Sequence, residues 1–147
     1  MTLSLHHTAI TTNNYPELVE FYVDVLGGEL VRESQWEKGQ VELDARTGMN
    51  NSAGRVALLQ FGDGFFEIFE FKSPPYQQRD RATLAHSGLT HFALSCEDCF
   101  GEYERLSKAG MKFNAPPWRT PAGGVFTFGF DPDGNTIEII QPAPQSK

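Results

Sequence analysis

A short strand that reads as buried and carries one histidine occurs twice in this chain. The first copy is Ser4-Leu5-His6-His7-Thr8-Ala9-Ile10, and the second is Gly88-Leu89-Thr90-His91-Phe92-Ala93-Leu94-Ser95. Aligning His7 with His91 also aligns Ala9 with Ala93 and Ile10 with Leu94. Each copy leads into a helix-like segment. Each half then closes on an apolar strand with a glutamate inside it, Phe65-Phe66-Glu67-Ile68-Phe69 and Thr136-Ile137-Glu138-Ile139-Ile140. Such a chain must fold as two versions of one unit, each presenting a His and a Glu.

Strand alternation decides which histidine counts in the first copy. Leu5, His7 and Ala9 share one face, while His6, Thr8 and Ile10 share the other. The match to His91 selects His7 as the inward residue, so His6 is read as a solvated or interface residue. Asn14 can cap the following helix, with Pro16 and Glu17 suited to its first turn. Leu18, Phe21, Tyr22, Val25 and Leu26 recur at helical spacing, and Gly27-Gly28 ends the run. A strand begins over residues 29–33. Another covers residues 55–61, and Gly62-Asp63-Gly64 turns the chain into the Glu67 strand. The second half repeats this order. A helix carries Phe100, Tyr103 and Leu106 on one side and ends at Gly110. A strand follows at residues 111–113, a loop at residues 115–124, and two strands at residues 125–130 and 136–141. Each half is therefore strand, helix, then about three strands.

The segment from Ser34 to Gly54 is polar and weakly periodic. It reads as a loop with at most a short strand or turn, either a solvated connection or a substrate-facing element in which Trp36 and Arg46 can hold a ligand. Module one spans about residues 3–71, a Pro-containing linker about 72–87, and module two about 88–141, within a single domain of 147 residues. His86, at the linker's end, is expected to face solvent. The net charge of -7 offers no basic block for nucleic acid or an anionic membrane. No apolar run approaches a membrane span, and the N-terminus lacks an export signal, so the expected compartment is the cytoplasm. Cys96 and Cys99 can be a redox pair, or simply a strand end and a helix start.

Two inward carboxylates in an aromatic-lined cavity repel each other and pay several kcal/mol each in lost hydration. A divalent cation removes that cost. Two imidazoles with two carboxylates suit Zn, Ni, Co, Mn or Fe(II) better than Mg or Ca, which prefer all-oxygen shells. We therefore expect one transition metal per site, held by His7, Glu67, His91 and Glu138. An octahedral ion so held keeps two positions for water or substrate oxygens.

These features together resemble the vicinal oxygen chelate superfamily, which includes glyoxalase I, methylmalonyl-CoA epimerase, extradiol dioxygenases and bleomycin-resistance proteins. The resemblance covers Leu5 to Gln141. It rests on His7-Thr8-Ala9-Ile10, Phe21-Tyr22-Val23-Asp24-Val25-Leu26-Gly27, Phe66-Glu67-Ile68, Gly88-Leu89-Thr90-His91-Phe92-Ala93-Leu94 and Asp131-Pro132-Asp133-Gly134-Asn135-Thr136-Ile137-Glu138-Ile139. It implies an α+β fold of two βαβββ modules forming an open, cupped sheet, and a homodimer that can complete the cup. The His-Glu-His-Glu set resembles the glyoxalase I and epimerase branch most. That branch implies a lyase or isomerase whose small substrate chelates the metal through two oxygens. A carboxylate then moves a proton next to a carbonyl, with Glu138 the first choice as base and Glu67 the second. Phe65, Phe69, Trp118, Phe126 and Phe128 are expected as pocket walls. Arg46, Arg55 and Arg119 are scattered candidates for substrate contact, and no basic cluster marks a site for glutathione or coenzyme A. The alternatives are an Fe(II) ring-cleaving dioxygenase, which the fourth ligand disfavours, and a metal-free drug-binding protein, which has no need of the full set.

Overall fold

Alternating apolar and polar residues build two mixed sheets in the computed structural model, which describes residues 2–80 and 82–144. Contacts divide the chain into one unit running to Arg79 and another from Asp80. Among the described residues, no helix is long and apolar enough to cross a membrane.

The first unit opens with β1 (His7–Thr11) and α1 (Tyr15–Glu20), which runs on into a π-helical turn at Phe21–Val25. Then come β2 (Glu29–Trp36), α2 (Val41–Thr47), β3 (Ala53–Phe61) and β4 (Gly64–Ser73). The sheet order is β1-β4-β3-β2, with β1 parallel to β4 and the other pairs antiparallel. Leu18 and Tyr22 of the helical segment are fully buried, as are Ala57, Leu59 and Ile68 of the sheet. The Tyr22 ring stacks on Phe66 at 4.8 Å. Ala57 faces Ile68 and Leu59 faces Phe66 in the ladder, so these residues share the helix-covered face. The period of two sends Val56, Leu58, Glu67 and Phe69 to the opposite face, where they are only half-buried. Asn14 does not cap α1 through its side chain, which instead meets Glu17.

The segment read as a loop contains α2. Its periodic signal is inverted: Val41 and Leu43 are exposed while Asp44 is buried. Asp44 accepts hydrogen bonds from the Ser52 amide, at 3.1 Å, and from the Ser52 hydroxyl. Trp36 Nε1 donates to the same hydroxyl at 3.0 Å. A polar chain, Trp36 to Ser52 to Asp44, thus fastens α2 to the sheet. The Ser52 hydroxyl is the main cause holding the Asp44 carboxyl below its ordinary value. A lowered folded-state pKa stabilises the fold above the ordinary carboxylate range, and that stabilisation is lost as pH falls through the folded value. The melting-temperature gap between wild type and Asp44→Asn is therefore expected to be widest near neutrality and to narrow below about pH 4. A gap independent of pH rules this out.

The second unit comprises β5 (Phe92–Ser95), α3 (Cys99–Lys108), β6 (Lys112–Phe113), β7 (Trp118–Arg119), β8 (Val125–Phe130) and β9 (Thr136–Gln141). Its order is β5-β9-β8-β6, with β7 also on β8. β5 runs parallel to β9, matching the β1 and β4 pair. Each unit is a βαβββ module on an open sheet, which confirms the α+β, glyoxalase-like fold. Asp98 caps α3 by accepting from the Phe100 and Gly101 amides. The buried residues of α3 are Cys99 and Leu106, whereas Phe100 is exposed, contrary to its expected place in the packed stripe. Burial pushes both thiols up, Cys99 to about 11, against the lowered value a redox pair needs.

The histidine strands differ from expectation in one respect. They are not buried: β1 and β5 are edge strands whose residues alternate between exposed and half-exposed. β5 begins at Phe92, so His91 sits just before the strand. β4 continues through Ser73, into the segment read as linker. His86 is exposed, with Nδ1 accepting from the Thr83 amide.

Candidate metal centre

Parallel pairing sets the same geometry in both units. Ala9 lies opposite Glu67, and Ala93 lies opposite Glu138. Each histidine stands two residues earlier on its strand's path, on the same face as its glutamate. His7 Nε2 stands 3.3 Å from Glu67 Oε2, and His91 Nε2 stands 3.4 Å from Glu138 Oε2. The glutamates are the more enclosed partners, with 19% and 15% of their side chains accessible against 41% and 30% for the histidines.

The remaining ring nitrogens are also engaged. His91 Nδ1 lies 3.0 Å from the Thr90 hydroxyl. His7 Nδ1 lies 2.9 Å from Nδ1 of His6, whose ring stacks on Phe65 at 5.0 Å. Alternation predicted that His6 and His7 could not share a face. That rule applies only inside a strand, and β1 begins at His7, so the His6 ring is free to turn toward its neighbour.

Aromatic rings flank both pairs. Glu67 shares its face with Phe65, Phe69 and Phe71, and the last two stack at 5.9 Å. Trp36 closes that corner edge-on, 5.5 Å from Phe71 and 6.3 Å from Phe69. A Cβ at Gly54 would collide with the Trp36 ring and the Glu70 carbonyl, so only glycine lets the indole lie there. In the second unit, Phe128 lies opposite Glu138 and 5.3 Å from the His91 ring. Phe126 follows at 5.7 Å from Phe128, and Trp118 at 5.8 Å from Phe126. Trp118, Phe126 and Phe128 thus form one row ending at the His91 and Glu138 pair.

The arginines do not join these rings. Arg119 pairs with Val125 on the helix-covered face, where its guanidinium lies 5.8 Å from the Phe100 ring. Arg55 donates to Glu70 at 2.7 Å and covers the Tyr15 ring. Arg46 pairs with Glu42 on exposed α2. Sequence reasoning proposed Arg46 and Arg119 as substrate contacts. The adjacency of Arg119 to Trp118 already held the opposing signal, because neighbours on a strand face opposite ways.

Among the described residues, no three side chains of His, Cys, Asp or Glu are gathered as an ion would require, and the donors come as one pair per unit. Each pair nonetheless fits two donors of one ion. Donors about 2.1 Å from a zinc-like ion stand about 3.0 Å apart at a right angle and about 3.4 Å apart at a tetrahedral one. The chemistry agrees, since neutral imidazole nitrogen beside carboxylate oxygen suits borderline divalent ions.

Two such modules, each with a His–Glu pair on the open face of its sheet, define a protein of the paired-module glyoxalase type. The chain belongs to the Glyoxalase/Bleomycin resistance protein/Dioxygenase superfamily, whose sequence profile matches residues 4–139. It is 31% identical to the uncharacterized protein YwkD of Bacillus subtilis, over 94% of this chain and 96% of that one. It is 28% identical to a probable lactoylglutathione lyase of Synechocystis, over 93% and 94% of the two chains. The crystal structure of a glyoxalase family protein from Bacillus cereus superposes with a TM-score of 0.84 at 18% identity, covering 96% of this chain and 95% of that one, a likeness of fold.

Proposed function

We propose that His7, Glu67, His91 and Glu138 together hold one divalent transition metal ion, and that the protein is a lyase or isomerase acting next to a carbonyl. The observation that carries this reading is the repeated Nε2 to Oε2 separation of 3.3 and 3.4 Å. The repeated register places both pairs alike, and both separations fit the bite of an ion. The four donors come from one chain or from two chains of a homodimer, and a small substrate bearing two neighbouring oxygens completes the site. Bound there, the ion supplies Lewis acidity to those oxygens.

The chain's own residues do the rest. Glu138, the more enclosed carboxylate, takes the proton from the carbon beside the carbonyl and returns it to a neighbouring carbon. Glu67 stands as the second base, which a reaction that inverts a centre would use to return the proton. Trp118, Phe126 and Phe128 seat the apolar part of the substrate and exclude water, with Phe65, Phe69 and Trp36 doing so in the first unit. The likeness to a probable lactoylglutathione lyase supports this class of chemistry.

The test combines metal analysis with isotope exchange. Purified protein should take up Zn2+ or Ni2+ stoichiometrically, and the loaded protein should place solvent deuterium beside the carbonyl of small hydroxycarbonyl compounds. Oxygen consumption with catechols overturns the reading in favour of a dioxygenase. Tight binding of an aromatic drug by protein that takes up no ion overturns it in favour of sequestration.

A further inference from the structure

We propose that His6 is a positioning residue for the ion. In this role its Nδ1 accepts a hydrogen bond from Nδ1–H of His7, fixing His7 in the tautomer that presents Nε2 on the Glu67 side. This rests on the reading of His7 as a ligand and adds a residue that acts only through it.

A neutral imidazole carries one N–H and one lone pair. For Nε2 to ligate, the ring proton must sit on Nδ1, and that N–H needs an acceptor. His6 Nδ1 stands 2.9 Å away. Three further contacts fix the His6 ring for the task. Its backbone carbonyl accepts from the Phe65 amide at 3.2 Å. Its ring stacks on Phe65 at an interplanar angle of 19°. It meets the His7 ring edge-on, with planes 89° apart, which aims one ring's nitrogen at the other's edge. The second unit repeats the arrangement with different chemistry. There the residue just before the histidine is Thr90, and its hydroxyl takes the same place against His91 Nδ1 at 3.0 Å. In both halves the preceding residue brings a group able to accept from Nδ1–H, so the contact belongs to the site rather than to chance on an exposed surface.

The experiment measures Zn2+ affinity of the whole protein by competition with a chromophoric chelator, for wild type, His6→Phe, His6→Asn and His7→Ala. His6→Phe keeps a ring to stack on Phe65 and loses the acceptor. It is expected to weaken Zn2+ binding by about 10–100-fold, as outer-shell changes do, with the melting temperature of metal-free protein unchanged. His6→Asn, whose side-chain carbonyl can accept, should recover most of the loss. Nitrogen NMR of the Zn2+-loaded wild type should show the His7 proton on Nδ1 and the ion on Nε2. Wild-type affinity in His6→Phe, or ligation of His7 through Nδ1, overturns the positioning role while leaving the metal reading intact. Wild type that takes up no Zn2+, indistinguishable from His7→Ala, overturns both.

Discussion

Exchanging Glu138 for glutamine is expected to abolish both ion retention and proton exchange while leaving the fold in place. The change keeps the shape of a side chain that shares its face with Phe128 and stands 3.4 Å from His91. It removes the charge that a divalent ion needs and the basicity that takes the substrate's proton. Ion affinity should fall by more than the ~10–100-fold that outer-shell changes cost. The contribution of general-base catalysis, about 10²–10⁴ in rate, should go with it. Bound zinc by elemental analysis reads the first effect, deuterium incorporation the second, and the melting temperature of metal-free protein checks the fold. Full zinc stoichiometry in Glu138→Gln would remove this residue from the site.

The largest stability effect is expected at Tyr22. It is fully buried in the π-helical turn, and its ring lies against Phe66, the residue next to Glu67 on β4. Tyr22→Ala leaves an aromatic-sized cavity between helix and sheet, a change that costs about 3–5 kcal/mol for large-to-small aromatic substitutions. That is a large share of a stability of about 5–15 kcal/mol. Urea unfolding of metal-free protein measures it, and a loss below 1 kcal/mol would show that the packing seen here is not what holds the helix.

The two-fold repeat was legible because a carboxylate inside an apolar strand is costly, and the chain bears that cost twice in the same place. Period-two alternation then put Glu67 and Phe69 together, and the ladder confirms it. Helix α2 was not legible, because its apolar residues face out and its carboxylate faces in toward Ser52. Tertiary hydrogen bonds, not an amphipathic stripe, decide that helix. His6 is exposed, as alternation placed it, but its contact with His7 was not legible, because β1 begins at His7 and alternation says nothing of the residue before a strand. Phe100 was misread as core because a ten-residue helix on a sheet buries only a narrow stripe, here Cys99 and Leu106.

The chain has two tryptophans, and they divide evenly: Trp36 borders the Glu67 face and Trp118 the row leading to Glu138. Their surroundings differ, since Trp36 is half-buried with its indole N–H bonded to Ser52 while Trp118 is 57% accessible. Each half therefore carries its own fluorophore, and Trp36 is expected to emit at the shorter wavelength. Quenching in single-tryptophan variants, Trp36→Phe and Trp118→Phe, would report which half an incoming molecule touches first.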